Sequence, residues 1–247
     1  MERGLTGAVS ETVVGTPNNT VTFGALWNST HLYVAAKVLD SQLFNDTANT
    51  GTPPTNVWQD DSVEVYIDGN HSHATSYELT GGANGLGNDR QFTKGYNESA
   101  LSGKGSQTGV AHAWGAITGG YTVEIAIPWS NVNVSGAAAG LTIGFDAANN
   151  DDDNGGATRE SHVVWAGTGT NYNNTSAFGD LTLSASIVGD AAPEVNVTAL
   201  FFCHRGHGGE PERTEEWHCS VNSDWTSVPL SLKVMFSRVH FSCWDTE

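Results

Sequence analysis

Apolar residues in this chain recur at every second position over short runs, and polar turn-formers separate the runs. Val63, Val65 and Ile67 alternate with Ser62, Glu64, Tyr66 and Asp68, the period of a strand with one face in a core and the other toward solvent. Val123, Ile125 and Ile127 repeat the pattern up to Pro128, which ends a ladder because it has no amide hydrogen. Residues 20–40 predict two strands around the polar turn Asn28–Thr30, and residues 109–129 two more around the hairpin signal Gly119–Gly120. SYELT, RQFTKGY, LTIGFDAAN, SHVVWAG and FGDLTLSAS supply further strand candidates. About eight to ten strands, with no amphipathic helix, predict an all-β fold: an antiparallel β-sandwich of jelly-roll or immunoglobulin-like type.

The alternation stops near VGDAAPEV, residues 188–195, where small residues and a proline follow the last good strand. This predicts a sandwich module over 1–188 and a linker with a poorly structured or truncated tail over 189–247. The tail holds Cys203, His207, His218 and Cys219, zinc-capable residue types whose spacing fits no standard site. Charge narrows the partners. The chain carries 27 acidic and 10 basic residues, net −17. Of these, 19 acids and 6 bases fall in residues 1–193 and the remainder beyond, giving −13 and −4. Such a surface repels phosphate backbones, so nucleic acid is not the expected partner. The acidic, lysine-poor balance fits either a halophilic source or an acidic secreted protein. No apolar run reaches the length that spans a membrane, and the first residues lack the apolar core of a signal peptide. Asn-X-Ser/Thr sequons, at Asn18, Asn28 and Asn45 among others, fit an exported module whose signal peptide is not in this chain. The module is expected to be monomeric.

Sugars offer flat C–H faces edged by hydroxyls, so a site for them needs exposed rings and planar polar groups. Trp58, Glu64 and Tyr66 supply both on one loop–strand unit, and Tyr172 lies in the polar loop TNYNNTSAFG. The alternative is that Trp58 caps the core and Glu64 is merely solvated. Trp27, Trp114, Trp129 and Trp165, on or beside regular strands, are assigned to the core.

The series ALWNSTHLYVAAKVLD, WQDDSVEVYID, YTVEIAIPW, IGFDAANNDDD, VVW and FGDLTL, in that order over roughly residues 21–184, resembles the family 9 carbohydrate-binding modules, a DOMON-like β-sandwich. The resemblance implies a non-catalytic module of secreted polysaccharide-degrading enzymes. Such a module grips a glucan or xylan chain end, or a small sugar, between two rings. Carried over by position, it implies Trp58 and Tyr172 as the rings, Glu64 as the ligand-binding carboxylate, and Gln91 with Tyr66 in support. Thr93 stands where binding members carry arginine, with Arg90 nearby, and Tyr172 stands where tryptophan is usual. The expected partner is therefore a polysaccharide or oligosaccharide, with no nucleic acid and no membrane.

Asn149, Asp151, Asp153 and Glu160 in NNDDDNGGATRE echo the spacing of oxygen ligands in a calcium loop, which makes structural Ca2+ the expected cofactor. Three other functions compete. A glycoside hydrolase would need two carboxyls held across a bond, from Asp60, Asp61, Glu64 or Glu124. A haem-binding cytochrome-type sandwich would need axial ligands, and residues 2–234 contain no methionine. The sandwich could also be a degenerate spacer or surface domain.

Overall fold

The computed structural model describes residues 2–47 and 54–185. These belong to one compact unit, Met1–Ala191. The second unit, Ala192–Glu247, lies outside the described residues, and with it the expectations for the tail and for Cys203, His207, His218 and Cys219. No helix among the described residues is long and apolar enough to cross a membrane.

The unit is a sandwich of two antiparallel sheets. Five strands form the first, in the spatial order β1 (Glu2–Val9), β3 (Thr20–Trp27), β4 (His31–Leu39), β9 (Gly120–Pro128), β8 (Ala111–Ile117). The second runs β2 (Glu11–Val14), β11 (Ser161–Val164), β10 (Thr142–Asp151), β5 (Ser62–Asp68), β6 (Asp89–Gly95), β7 (Ser102–Lys104). A further strand, β12 (Gly179–Thr182), pairs with the first half of β10, and β11 pairs with the second half. The expected hairpins form where turn chemistry required them. Asn28 Oδ1 accepts from the amides of Thr30 and His31 between β3 and β4, and Gly119 has φ 71° between β8 and β9.

Period-2 alternation sets the core. Val21, Phe23, Ala25 and Trp27 meet Leu32, Val34, Ala36 and Val38 in the first sheet, with Tyr121, Val123, Ile125 and Ile127 beyond them. Val63, Val65, Ile67, Phe92, Ile143, Phe145, Ala147 and Leu181 close against them from the second sheet. Trp27 and Trp129 are buried there, and Trp114 and Trp165 pack against it.

Three strands escape the alternation argument, namely β1, β2 and β7. In β7, Gly103 crosses so close to β6 that a Cβ would stand 1.9 Å from the Gln91 carbonyl oxygen. There the strand is specified by backbone approach and not by a hydrophobic period. Conversely, SYELT is no strand. Thr80 makes one isolated bridge with Leu86, while Tyr77 packs onto the outer face of the second sheet.

That covering corrects the expectation for β5. Its polar face is not wet, because every residue from Ser62 to Asp68 is buried. Tyr66, Ala148, Val164 and Phe178 form a second small apolar cluster on the outer face, joined by Val13 and Tyr77.

Candidate functional site

Strand register gathers the polar groups. Glu64 pairs with Thr93 across β5 and β6, and Thr93 with Ser102 on β7. Tyr66 pairs with Gln91, and Gln91 with Lys104. Because residues two apart share a face, Glu64, Tyr66, Gln91, Thr93 and Lys104 lie on one side of the sheet, opposite the core. Glu64 Oε2 accepts from the Tyr66 hydroxyl at 2.6 Å, and Oε1 from Gln91 Nε2 at 2.9 Å and Thr93 Oγ1 at 3.3 Å. His162 Nε2 stands 3.4 Å from Oε2, and both His162 ring nitrogens lack a hydrogen-bond partner among the described residues. The contact is a close approach and not a hydrogen bond. Desolvation would raise the Glu64 carboxyl, but His162, the Tyr66 hydroxyl and the charge of Arg159 outweigh it and hold it down to about 2. Three of the roughly four acceptor directions of a carboxylate are thus filled from within. Glu64, 2% exposed, is the floor of the site and not a surface group.

The two rings expected to clamp a sugar are both exposed. Trp58, 39% exposed, sits in the short 3-10 turn Val57–Gln59, and Tyr172 is 51% exposed. The Arg159 guanidinium lies 5.1 Å from the Trp58 ring centre and the Lys104 ammonium 5.0 Å from that of Tyr172. Both cations act on Glu64: the charge of Arg159 lowers the Glu64 carboxyl, and Glu64 in turn counters the desolvation that lowers Lys104. Lys104 also donates to the Tyr172 carbonyl, and Arg159 to Asn150 Oδ1.

Each ring is anchored by other contacts. Gln59 Nε2 donates to the Ala157 carbonyl at 2.8 Å, joining the Trp58 turn to the loop that carries Arg159. The Tyr172 loop hangs on Asp146, whose carboxylate accepts the amides of Trp165, Ala166 and Gly167 at 3.1, 3.0 and 2.9 Å, and also the Asn171 side chain. Tyr77 clips the same loop through the Asn171 carbonyl.

At the far end of β5 and β10 the chemistry changes. Two acidic dipeptides, Asp60–Asp61 and Asp151–Asp152, continue the Ser62–Asn150 pairing of these strands. Successive side chains point oppositely, so the dipeptides divide into two groups. Asp61 and Asp151 join Asp40; Asp60 and Asp152 join Asp46, with the ligating oxygens of each group within 4.8 Å of one another. In several of these carboxylates one oxygen binds local amides and the other has no donor among the described residues. Asp61 Oδ2 accepts from Phe44 N at 2.6 Å while Oδ1 is unpartnered. Asp60 Oδ1 takes Thr47 N and Asp152 Oδ1 the amides of Asn154 and Gly155, while their Oδ2 atoms, like Asp40 Oδ2, are unpartnered. Burial first, then the neighbouring carboxylates, push Asp61 up to about 9. Burial also leads at Asp151, which reaches about 7 with Asp153 and Asp40 adding to it.

This redraws the expected metal set. Asp151 converges with Asp40 and Asp61; of its expected partners, Asp153 acts on it by charge, Asn149 is joined to it through Asn19 Nδ2, which donates to Asn149 Oδ1 at 2.6 Å and to Asp151 Oδ1 at 2.9 Å, and Glu160 is not among the converging carboxylates. Asn149 turns inward to the Ser62 carbonyl and the Tyr121 hydroxyl, and Glu160 is spent on the Asp153 amide and the Asn154 side chain. A cleft of about 390 Å³ lined by Asp46, Thr47, Asn56 and residues 155–157 opens beside the second group, not over Glu64.

The carboxylates proposed for hydrolysis do not meet. Asp60 and Asp61 belong to separate acidic groups, Glu64 is locked in its network, and Glu124 lies in the other sheet between Ala35 and Ala113. Sequence reasoning missed Arg159, Lys104 and His162. The available signal was scarcity: residues 1–193 hold only six bases, and Lys104 and Arg159 are the two of them that stand in Gly- and Ser/Asn-rich polar segments.

Comparison with known proteins gives a consistent result. A family model described as "Carbohydrate family 9 binding domain-like" matches residues 4–186. Endo-1,4-beta-xylanase A of Thermoanaerobacterium saccharolyticum is 34% identical over 175 residues, covering 70% of this chain but 13% of that protein. Exoglucanase XynX of Acetivibrio thermocellus is 33% identical over 174 residues, covering 70% and 14%. The chain therefore spans about a seventh of the length of these relatives. Among solved structures, a carbohydrate binding module family 9 from Caldicellulosiruptor kristjanssonii in complex with cellotriose superposes with a TM-score of 0.62, at 24% identity, over 77% of this chain and 87% of that one. A carbohydrate binding module family 9 of that organism in complex with glucose gives 0.57 over 75% and 88%.

Proposed function

The chain belongs to the carbohydrate family 9 binding domain-like family, and from that premise we propose that it is a non-catalytic sugar-binding module of an exported polysaccharide-degrading protein, acting as a monomer. The observation that carries this reading is the pairing of two exposed rings, Trp58 and Tyr172, with two cations that both act on the buried Glu64. A pyranose ring between Trp58 and Tyr172 presents apolar faces to both and hydroxyls to the groups below. Gln91, Lys104 and Arg159 supply donors in the place of the arginine that Thr93 replaces. Glu64 holds Gln91 and Tyr66 in fixed orientation and keeps one acceptor direction for a hydroxyl. Glucan or xylan chain ends and small sugars fit this arrangement.

We propose Ca2+ at the two acidic groups, with Asp40, Asp61 and Asp151 as ligands at one and Asp46, Asp60 and Asp152 at the other. All are hard oxygen donors, and the orphaned buried oxygens fit a cation of that kind. The second group adjoins the Trp58 turn and the Arg159 loop, so its role is to hold one wall of the sugar site.

Calorimetry with glucose, cellobiose and xylobiose tests the reading. Wild-type protein gives a binding isotherm with at least one of them. Trp58→Ala weakens it at least tenfold, roughly 1.4 kcal/mol, at an unchanged melting temperature. An isotherm unaffected by Trp58→Ala, or no heat with any sugar, overturns it.

A further inference from the structure

A third group lies away from both. His71 Nε2 is 2.8 Å and His73 Nε2 3.5 Å from the same oxygen, Asp180 Oδ1, and ligating atoms of all three side chains lie within 4.8 Å of one another. The imidazoles meet edge to face, with ring centres 4.5 Å apart. We propose that His71, His73 and Asp180 form a surface site for a first-row transition-metal ion of the zinc class, which staples the loop after β5 to β12.

The geometry is built, not incidental. His71 and His73 both adopt left-handed backbone, at φ 54° and 48°, a conformation that costs free energy for a residue with a Cβ. Buried Asp68 holds this turn. Its Oδ1 accepts the Ser72 amide at 3.1 Å, its Oδ2 the His73 amide at 2.7 Å, and its carbonyl the His71 amide at 3.2 Å. The third ligand comes from a different strand by register, because Gly144 on β10 pairs with Asp68 on one side and with Asp180 on the other. A Cβ at Gly144 would stand 2.9 Å from Asp68 Cβ, so the missing side chain leaves room for the carboxylate that organises the turn.

The donor set selects the ion. Two neutral imidazoles and one carboxylate suit zinc and its neighbours, whereas calcium prefers oxygen alone. Tetrahedral zinc with bonds of about 2.0–2.2 Å separates its ligands by roughly 3.4 Å. The His73–Asp180 distance already matches, and the His71–Asp180 pair would open by roughly half an ångström from its hydrogen-bonded spacing. The side chains are 33%, 28% and 64% exposed, which leaves a position for water as fourth ligand. The staple would act on the sugar wall from behind. The loop after β5 already contacts the Tyr172 segment, through Thr175 to the Ala74 carbonyl and Tyr77 to the Asn171 carbonyl.

The test uses the full chain, stripped with chelator, with thiols blocked and calcium restored. Zinc is titrated by calorimetry, and cobalt(II) by its visible spectrum. Histidine at positive φ is replaced best by asparagine, which tolerates that conformation, so the variants are His71→Asn/His73→Asn and, at the exposed third position, Asp180→Asn. Wild-type protein takes up zinc and its melting temperature rises. The double variant loses one equivalent, and Asp180→Asn weakens that equivalent about tenfold or more. Cobalt bound there shows the ligand-field bands of nitrogen and oxygen donors. Equal zinc uptake by wild-type protein and Asp180→Asn, equal uptake by wild-type protein and the double variant, or no uptake by wild-type protein overturns the proposal.

Discussion

Glu64 and Asp61 are buried carboxylates three residues apart on one stretch of chain, and they solve the same problem in opposite ways. Glu64 is surrounded by donors, which carry its charge and hold its carboxyl at about 2. Asp61 faces other carboxylates; burial and their repulsion raise it to about 9, and one of its oxygens has no donor among the described residues. Burying a charge is costly unless it is paired, so a carboxyl among like charges either keeps its proton, as the raised value of Asp61 implies, or gains a cation such as the Ca2+ proposed above. The difference separates a carboxylate satisfied within the protein from a group that, on the Ca2+ proposal, takes its counter-charge from solution. On the proposed function the two divide the work: the self-satisfied floor would receive the sugar, and the acidic end, with its ion, would hold the loops beside it.

The largest effect should come from removing that counter-charge. Chelation is expected to lower the melting temperature by on the order of 10 °C, since an ion at about a thousand times its Kd contributes roughly 4 kcal/mol, and each kcal/mol moves a domain of this size by about 2–4 °C. Calcium should restore the melt, and magnesium, which resists full dehydration, should restore little. Differential scanning calorimetry reads this directly, and a melt indifferent to chelator removes the contrast between the two regions.

Acid probes the other side of the comparison. The Glu64 carboxyl lies below its ordinary value of 4.5, at about 2, so its contribution is complete above pH 4.5 and disappears as pH falls through 2. That depression corresponds to roughly 3 kcal/mol. The stability gap between the wild-type protein and Glu64→Gln, measured by denaturant unfolding, should shrink by about that amount between pH 5 and 2. Sugar affinity should show no step from Glu64 between pH 5 and 8. A gap that stays constant to pH 2 would mean that the floor is not charge-stabilised.

The pattern of residues disclosed the sandwich far better than the site. Alternation located β3, β4, β5, β9 and β10, because burying one side of a pleated strand leaves a period in the sequence. It could not reveal that the opposite side of β5 is covered as well, since the cover, Tyr77 and Phe178, comes from segments with no period of their own. Trp58 and Tyr172 were legible as aromatics stranded in polar surroundings. Arg159 and Lys104 were not, because a cation reaches a ring through tertiary folding and leaves no local spacing. The acidic groups failed for a related reason. NNDDDNGGATRE looked like a loop carrying its own ligands, but strand pairing sends Asp151 and Asp152 to partners about ninety residues earlier in the chain.

The finest test of a saturated floor is a change that ought to matter little. Thr93 Oγ1 donates to Glu64 Oε1 at 3.3 Å, long beside the 2.9 Å of Gln91 to the same oxygen. Thr93→Val keeps the shape, removes one donor and leaves Glu64 with Gln91 and Tyr66. It should cost under about 1 kcal/mol, less than a typical hydrogen bond to a charged group, with sugar affinity within about threefold, on the order of 0.6 kcal/mol. Were Glu64 as poorly supplied as Asp61, the loss of any donor would strand a buried charge and cost several times more. A destabilisation above about 2 kcal/mol in denaturant unfolding would therefore show that Thr93 is a principal support of the carboxylate.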